Sequence, residues 1–280
     1  MKKALWIAAM LLLGSAGPAL ALGKKPASAS IPASDSLSAA RLQDSPRHGE
    51  FVDVPYGDGK LRTWVVYPER KDRAGIVLVI HEIFGLSSWA RALGDQLAAD
   101  GFIAVVPDLI SGMGPGGGGT ESVASRDEVV QLIRGLSPGE ARARLDAVRA
   151  WAMKLPSANG KLGTMGFCWG GGRSFEYAAV EPPPQAAVVF YGTSPDSATL
   201  LRVRAPVLGL YGGDDARVNA TIEPAQSVLK GVPGSRYEPI RFDGAGHGFM
   251  RQQEGREGAN LRAAQKAWPR AIAFLRSTLK

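Results

Sequence analysis

Cysteine is almost absent from this chain: 280 residues hold one, Cys168, alongside three histidines, His48, His81 and His247. One cysteine cannot close a disulfide within the chain, and so few Cys and His exclude metal sites built from clusters of them. Long apolar runs are missing too. Past the first 21 residues nothing approaches the 18 uninterrupted apolar residues of a membrane-spanning helix. Basic patches interleaved with aromatics are also lacking. Lys and Arg outnumber Asp and Glu by 33 to 26, a formal +7, but Arg142, Arg144 and Arg149 are interspersed with Asp146. That pattern gives nucleic-acid binding no support. No internal repeat is visible.

The first residues read as a secretory leader. Met1-Lys2-Lys3 is basic, residues 4–13 are apolar, and Ala19-Leu20-Ala21 is a small-x-small cleavage site. The apolar core is too short to span a bilayer, so residues 1–21 are expected to be removed and the protein exported to the periplasm or beyond. Losing Lys2 and Lys3 takes the charge from +7 to +5. An exported lone thiol is an oxidation liability, either deeply buried or kept for chemistry. Residues 22–48, rich in Ala, Ser and Pro, are expected to form a flexible linker or loosely packed arm. Residues 49–280 suit a single α/β domain.

Within that domain, alternation in residues 51–54 and 61–67 about Gly57-Asp58-Gly59 predicts a hairpin. Residues 75–80 form a β-branched run, as in a strand covered on both faces. Ser87 or Ser88 can cap a helix that carries Trp89, Leu93 and Leu97 and stops at Gly101. Further strands are expected at 102–106, 161–167, 186–191, 206–211 and 237–242. Helices are expected through Leu145, Val148 and Ala152, from Gly172 to Val180, and through Leu261, Ala264 and Trp268, with a kink or restart at Pro269. Strands alternating with helices after a hairpin imply a mostly parallel sheet with helices on both faces.

Gly166-Phe167-Cys168-Trp169-Gly170 is the cysteine form of the G-x-S-x-G nucleophile elbow, a strained strand-to-helix turn. Small neighbours are needed because side chains there would strike the adjoining strand and helix. The turn sets Cys168 at a helix N-terminus, where the dipole favours a thiolate. A nucleophile needs a base, and the base an orienter. Asp214 and Asp215 follow the strand at 206–211, and His247 lies on the glycine-flanked loop after the strand at 237–242. The order Cys168, Asp215, His247 is that of α/β-hydrolases, with Asp214 the adjacent alternative. Each position falls beyond the carboxyl end of a strand, where such sheets bind ligands.

Residues 166–171, 213–218 and 246–249, with His81-Glu82-Ile83-Phe84-Gly85 upstream, together resemble the dienelactone hydrolase family of α/β-hydrolases over roughly residues 50–278. The resemblance implies Cys168 as nucleophile, His247 as base and Asp215 as orienter. It implies that Glu82 holds the resting thiol protonated and that the N–H groups of Ile83 and Trp169 form the oxyanion hole. It also implies no cofactor. One departure is plain. Family members that bind a carboxylate-bearing lactone carry an arginine shortly after the Pro-Asp-Leu found here at 107–109, and this chain has none until Arg126. Arg251 matches the second family arginine, which implies that it binds substrate and remains to attract a carboxylate.

Gly112-Met113-Gly114-Pro115-Gly116-Gly117 satisfies G-x-G-x-x-G formally but opens no helix, so it is expected to be a mobile loop at the rim of the site. Cys168-Trp169 has a counterpart in papain-like proteases, yet a mid-chain cysteine with histidine only 79 residues later departs from their layout. The sequence therefore points to an exported monomeric hydrolase of small esters or lactones, acting through a thioester. A non-catalytic relative, binding a small molecule or sensing redox state through Cys168, is the alternative.

Overall fold

The computed structural model describes residues 31–280. The leader expected at 1–21 and the start of the arm expected at 22–48 lie outside them. Gly57 adopts φ 55° and, with Asp58, turns β1 (Gly49–Tyr56) into β2 (Gly59–Val66), pairing Tyr56 with Gly59. Two residues with a left-handed glycine are what a tight hairpin needs. The other strands are β3 (Ala74–Ile80), β4 (Ile103–Pro107), β5 (Ala158–Phe167), β6 (Ala186–Phe190), β7 (Val207–Gly212) and β8 (Tyr237–Phe242). They form one sheet in the order β1-β2-β4-β3-β5-β6-β7-β8. β2 runs antiparallel to β1 and β4, and all remaining pairs are parallel.

The helices are α1 (Ser38–Gln43), α2 (Ser88–Ala99), α3 (Arg126–Gly135), α4 (Pro138–Ala152), α5 (Trp169–Tyr177), α6 (Ser197–Leu200), α7 (Ala216–Asn219), α8 (Ile222–Lys230) and α9 (Ala259–Leu279). Both faces of the sheet are covered, and β3 shows why. All seven of its residues are buried. Val77 and Val79 join Leu93 and Leu97 of α2 and Trp268 and Leu275 of α9 on one face. Ile76, Leu78 and Ile80 meet Leu145 and Val148 of α4 on the other. Each such side chain removed from water contributes roughly 1.5–3 kcal/mol. This is the mostly parallel sheet with helices on both faces that the alternation of elements implied. Among the described residues, no helix is long and apolar enough to cross a membrane.

Three segments depart from the sequence reading. Residues 31–48 are docked against the body. Trp89 and Gln253 donate to the carbonyls of Ala33 and Pro32 at 3.2 and 2.9 Å. Arg47 grips Asp95 with Nε and Nη2 at 2.8 and 2.6 Å. Backbone hydrogen bonds, hydroxyls and ion pairs hold the segment more than an apolar face does, so no periodicity announced it. α9 runs unbroken across Pro269. The proline forfeits one backbone hydrogen bond, while buried Trp268, Ala271, Ile272 and Leu275 keep the helix on the sheet. The glycine-rich loop is tied down: Asp108 accepts from the Thr120 N–H and hydroxyl at 2.6 and 2.8 Å, and that hydroxyl accepts from Leu86 N–H at 3.0 Å.

The turn between β5 and α5 is set by backbone contact. A Cβ on Gly170 would fall on the carbonyl oxygens of Ile80 and His81, and one on Gly166 on the Gly170 carbonyl. Backbone cannot yield as a flexible side chain can. Gly170→Ala should therefore cost the 1–3 kcal/mol or more typical of overpacking, a fall in Tm of roughly 5–10 °C. Gly139→Ala, where an added Cβ meets nothing within 4 Å, is the control. Equal melting temperatures for the two variants would refute the packing argument.

Candidate active site

Four strands deliver the candidate residues from their carboxyl ends: His81 and Glu82 after β3, Cys168 after β5, Asp215 after β7 and His247 after β8. Cys168 adopts φ 55°, ψ −116°, a left-handed setting that costs a non-glycine residue about 1–3 kcal/mol. α5 starts at the very next residue, Trp169. The sequence reading placed that start three residues later. The first two N–H groups of α5, those of Trp169 and Gly170, thus follow Cys168 directly in the chain, where a helix offers them no partner within itself.

The Nε2 of His247 lies 3.0 Å from Cys168 Sγ, and its Nδ1 lies 2.6 Å from Asp215 Oδ2. Asp215 is buried and also caps α7 by accepting from the Val218 N–H. Asp214 turns away, its carboxylate 3.2 Å from Arg256, which separates the two aspartates that sequence alone left open. Burial pulls the His247 imidazole toward its neutral form, but the hydrogen bonds to Asp215 and Cys168 outweigh it and push the pKa up to about 10. Burial raises Asp215 as well, yet the His247 contact wins and holds this carboxyl below its ordinary value.

Glu82 hydrogen-bonds to two other side chains. Its Oε1 accepts from the Tyr191 hydroxyl at 3.0 Å and its Oε2 from Arg251 Nε at 2.8 Å. Both oxygens are thus occupied while Cys168 faces His247. Burial pushes the Glu82 pKa above the usual carboxylate range, only partly offset by Arg251. Arg251 is correspondingly no free cation, because Nη1 also meets Asp35 at 3.2 Å. Tyr191 was missed by the sequence reading. It follows β6 with φ 41° and is fully buried, and its ring stands edge-on to His247 at 5.2 Å. Burial first, then Glu82, raises its phenol well above the ordinary value, so it stays a donor. The available signal was only its position at a strand's carboxyl end.

His81 shapes the turn that carries Ile83. Its Nε2 accepts from the Leu109 N–H at 3.2 Å, so Nδ1 carries the proton and donates to the Glu82 carbonyl at 2.7 Å. Complete burial lowers its pKa and keeps it neutral. The Glu82 carbonyl and the Ile83 N–H belong to one planar trans peptide, so fixing the first fixes the direction of the second. The His81 ring also stacks on Trp169 at 5.8 Å, linking the two turns. Among the described residues no group of three or more His, Cys, Asp and Glu could hold a metal ion.

The chain is similar to known proteins. The model of the dienelactone hydrolase family matches residues 61–279. The chain is 30% identical over 238 residues to "Putative carboxymethylenebutenolidase" of Methylorubrum extorquens, covering 80% of this chain and 79% of that one. The crystal structure of "Putative Dienelactone Hydrolase" from Klebsiella pneumoniae is similar at TM-score 0.71 and 27% identity, over 81% of this chain and 98% of that one. A dienelactone hydrolase of Anabaena variabilis shares the fold at TM-score 0.63 and 23% identity, over 84% and 99% of the two chains.

The raised His247 pKa has a signed consequence for stability. The folded state binds this proton more tightly than the unfolded state does. The resulting stabilisation is complete below about pH 6.5 and is lost as pH rises through about 10. The Tm advantage of the native protein over His247→Gln should accordingly be largest near pH 6 and vanish by about pH 10.5. An advantage that held constant or grew with pH would contradict the assignment of the imidazolium to the Asp215–Cys168 pocket.

Proposed function

This chain belongs to the dienelactone hydrolase family, and on that footing we propose that it hydrolyses small esters or lactones through a thioester on Cys168. The hydrogen-bonded series Cys168–His247–Asp215, drawn from the ends of three strands, is the observation that supports this reading most directly. His247 Nε2 takes the thiol proton, and the raised basicity of the imidazole makes that transfer favourable. The sulfur attacks the substrate carbonyl, and the oxyanion is received by the N–H groups of Ile83 and Trp169. Collapse breaks the C–O bond, and the leaving oxygen takes the proton from His247. Water then attacks the thioester, giving one proton to His247, and the acid departs as the thiol is restored.

A positioned base of this kind contributes about 10²–10⁴ in rate, and each oxyanion donor about 10²–10³. One chain supplies every group, so a monomer suffices. Export belongs to the proposal on the strength of the three-part pattern in residues 1–21, and sequencing from Leu22 in protein recovered outside the cytoplasm checks it.

Turnover of a chromogenic short-chain ester tests the chemistry. Cys168→Ala and His247→Ala should each lower kcat/KM at least about a thousandfold without unfolding the protein. Asp215→Asn should lose far more activity than Asp214→Asn, whose carboxylate serves only the exposed Arg256. Most activity surviving in Cys168→Ala would remove the nucleophile assignment. A native protein that binds but does not turn over esters and lactones would favour the non-catalytic alternative.

A further inference from the structure

Beside the Glu82 turn opens a cleft of about 740 Å³, lined in part by Asp35, Phe84, Ser87, Arg126, Val129 and Arg251. Two guanidinium groups share the Phe84 ring, Arg126 at 3.6 Å and Arg251 at 4.8 Å from its centre. Paired planar cations on an aromatic ring make a receptor for a carboxylate. That receptor already holds one from the chain itself. Asp35 Oδ2 lies 3.2 Å from Arg251 and 3.9 Å from Arg126.

Asp35 is tethered rather than resting there by chance. Its N–H donates to the Arg251 carbonyl at 2.9 Å, and its own carbonyl accepts from the Ser38 hydroxyl at 2.8 Å. The flanking Ser34 and Ser36 hydroxyls both donate to Glu254, at 2.5 and 2.8 Å. The Asp35 carboxylate adds little to stability through Arg126, since the two side chains are 40% and 54% exposed. What it does change is the field in the cleft. Arg126 is met by Asp35, and Arg251 by Asp35 and Glu82, so an incoming anion finds no uncompensated positive charge.

We propose that Asp35 is a specificity-determining residue: it occupies the Arg126–Arg251 pair as an internal carboxylate and directs the site to uncharged acyl groups, against carboxylate-bearing ones. The cleft communicates with the reacting centre through Arg251, Glu82 and Tyr191, whose ring faces His247. The inference deepens the ester-hydrolase reading and rests on it for its biological sense, but its test does not need turnover. The residues after Leu109 supply no arginine, and the structure brings Arg126 to the cleft from the start of α3.

Cys168 is the sole cysteine, so alkylation by iodoacetate and by neutral iodoacetamide reads the charge preference at the sulfur directly. The ratio of the two rates, iodoacetate over iodoacetamide, should rise about fivefold in Asp35→Asn at low ionic strength. The rise should shrink in high salt and disappear when Arg126→Gln is added. A ratio unchanged in Asp35→Asn, with iodoacetamide still reacting as in the native protein, overturns the proposal. A parallel arm compares p-nitrophenyl acetate with the p-nitrophenyl monoester of succinate. A raised alkylation ratio with neither ester hydrolysed by any variant would sustain the role of Asp35 and sink the hydrolase reading. An unchanged ratio with both esters turned over would do the reverse.

Discussion

Between the end of β3 and the first turn of α5 there is no room for a single methyl group. The carbonyls of Ile80 and His81 lie where a Cβ on Gly170 would stand, and the Gly170 carbonyl lies where one on Gly166 would stand. That approach forces the chain at Cys168 into a left-handed turn, with the sulfur 3.0 Å from His247 Nε2. It also brings the opening amides of α5 alongside the Glu82 turn, which His81 fixes by hydrogen-bonding the Glu82 carbonyl. The strained residue persists because the parallel pairs on both sides of β5 hold strand and helix in register. The geometry of this centre thus depends on backbone packing before it depends on any side chain.

The remaining polar groups form a second tier around that turn. Burial would drive the Glu82 carboxyl to its neutral form, and Arg251 and Tyr191 act against this from opposite oxygens. Arg251 spans the interior Glu82 and the cleft-facing Asp35, so two ion pairs join the N-terminal segment to Glu82. A segment that contributes little apolar burial can still tune a site when its carboxylate is held by backbone contacts on either side.

Much of the site was legible in sequence because its constraints are local. Glycines at 166 and 170, a cysteine between them, an aspartate after one strand and a histidine after the next are demands of turn geometry, and they appear as letters in order. The parallel sheet was legible for a similar reason, since strands buried on both faces, such as β3, show continuous apolar runs. What sequence did not disclose depends on long-range contact. Residues 31–48 dock through carbonyl acceptors and the Arg47–Asp95 pair, which have no periodic signature. Tyr191 is one apolar letter at the end of β6 until the fold sets its hydroxyl on Glu82. Arg251 was read as a cation awaiting an anion, because nothing in its neighbours along the chain tells of Asp35, more than 200 residues earlier. α3 was not expected at all: of its ten residues, Val129 and Ile133 alone are buried, too few for a clear helical stripe.

The central claim is that Cys168 carries the acyl group between two half-reactions. Mixing the protein with a p-nitrophenyl ester, quenching in acid within the first turnovers and mapping the peptides by mass reads this directly. The account predicts that the acyl mass resides on the Cys168 peptide, is released by neutral hydroxylamine as a thioester would be, and is absent from Cys168→Ala. Hydrolysis that proceeds with no adduct on Cys168, or with the acyl group on another side chain, would contradict it.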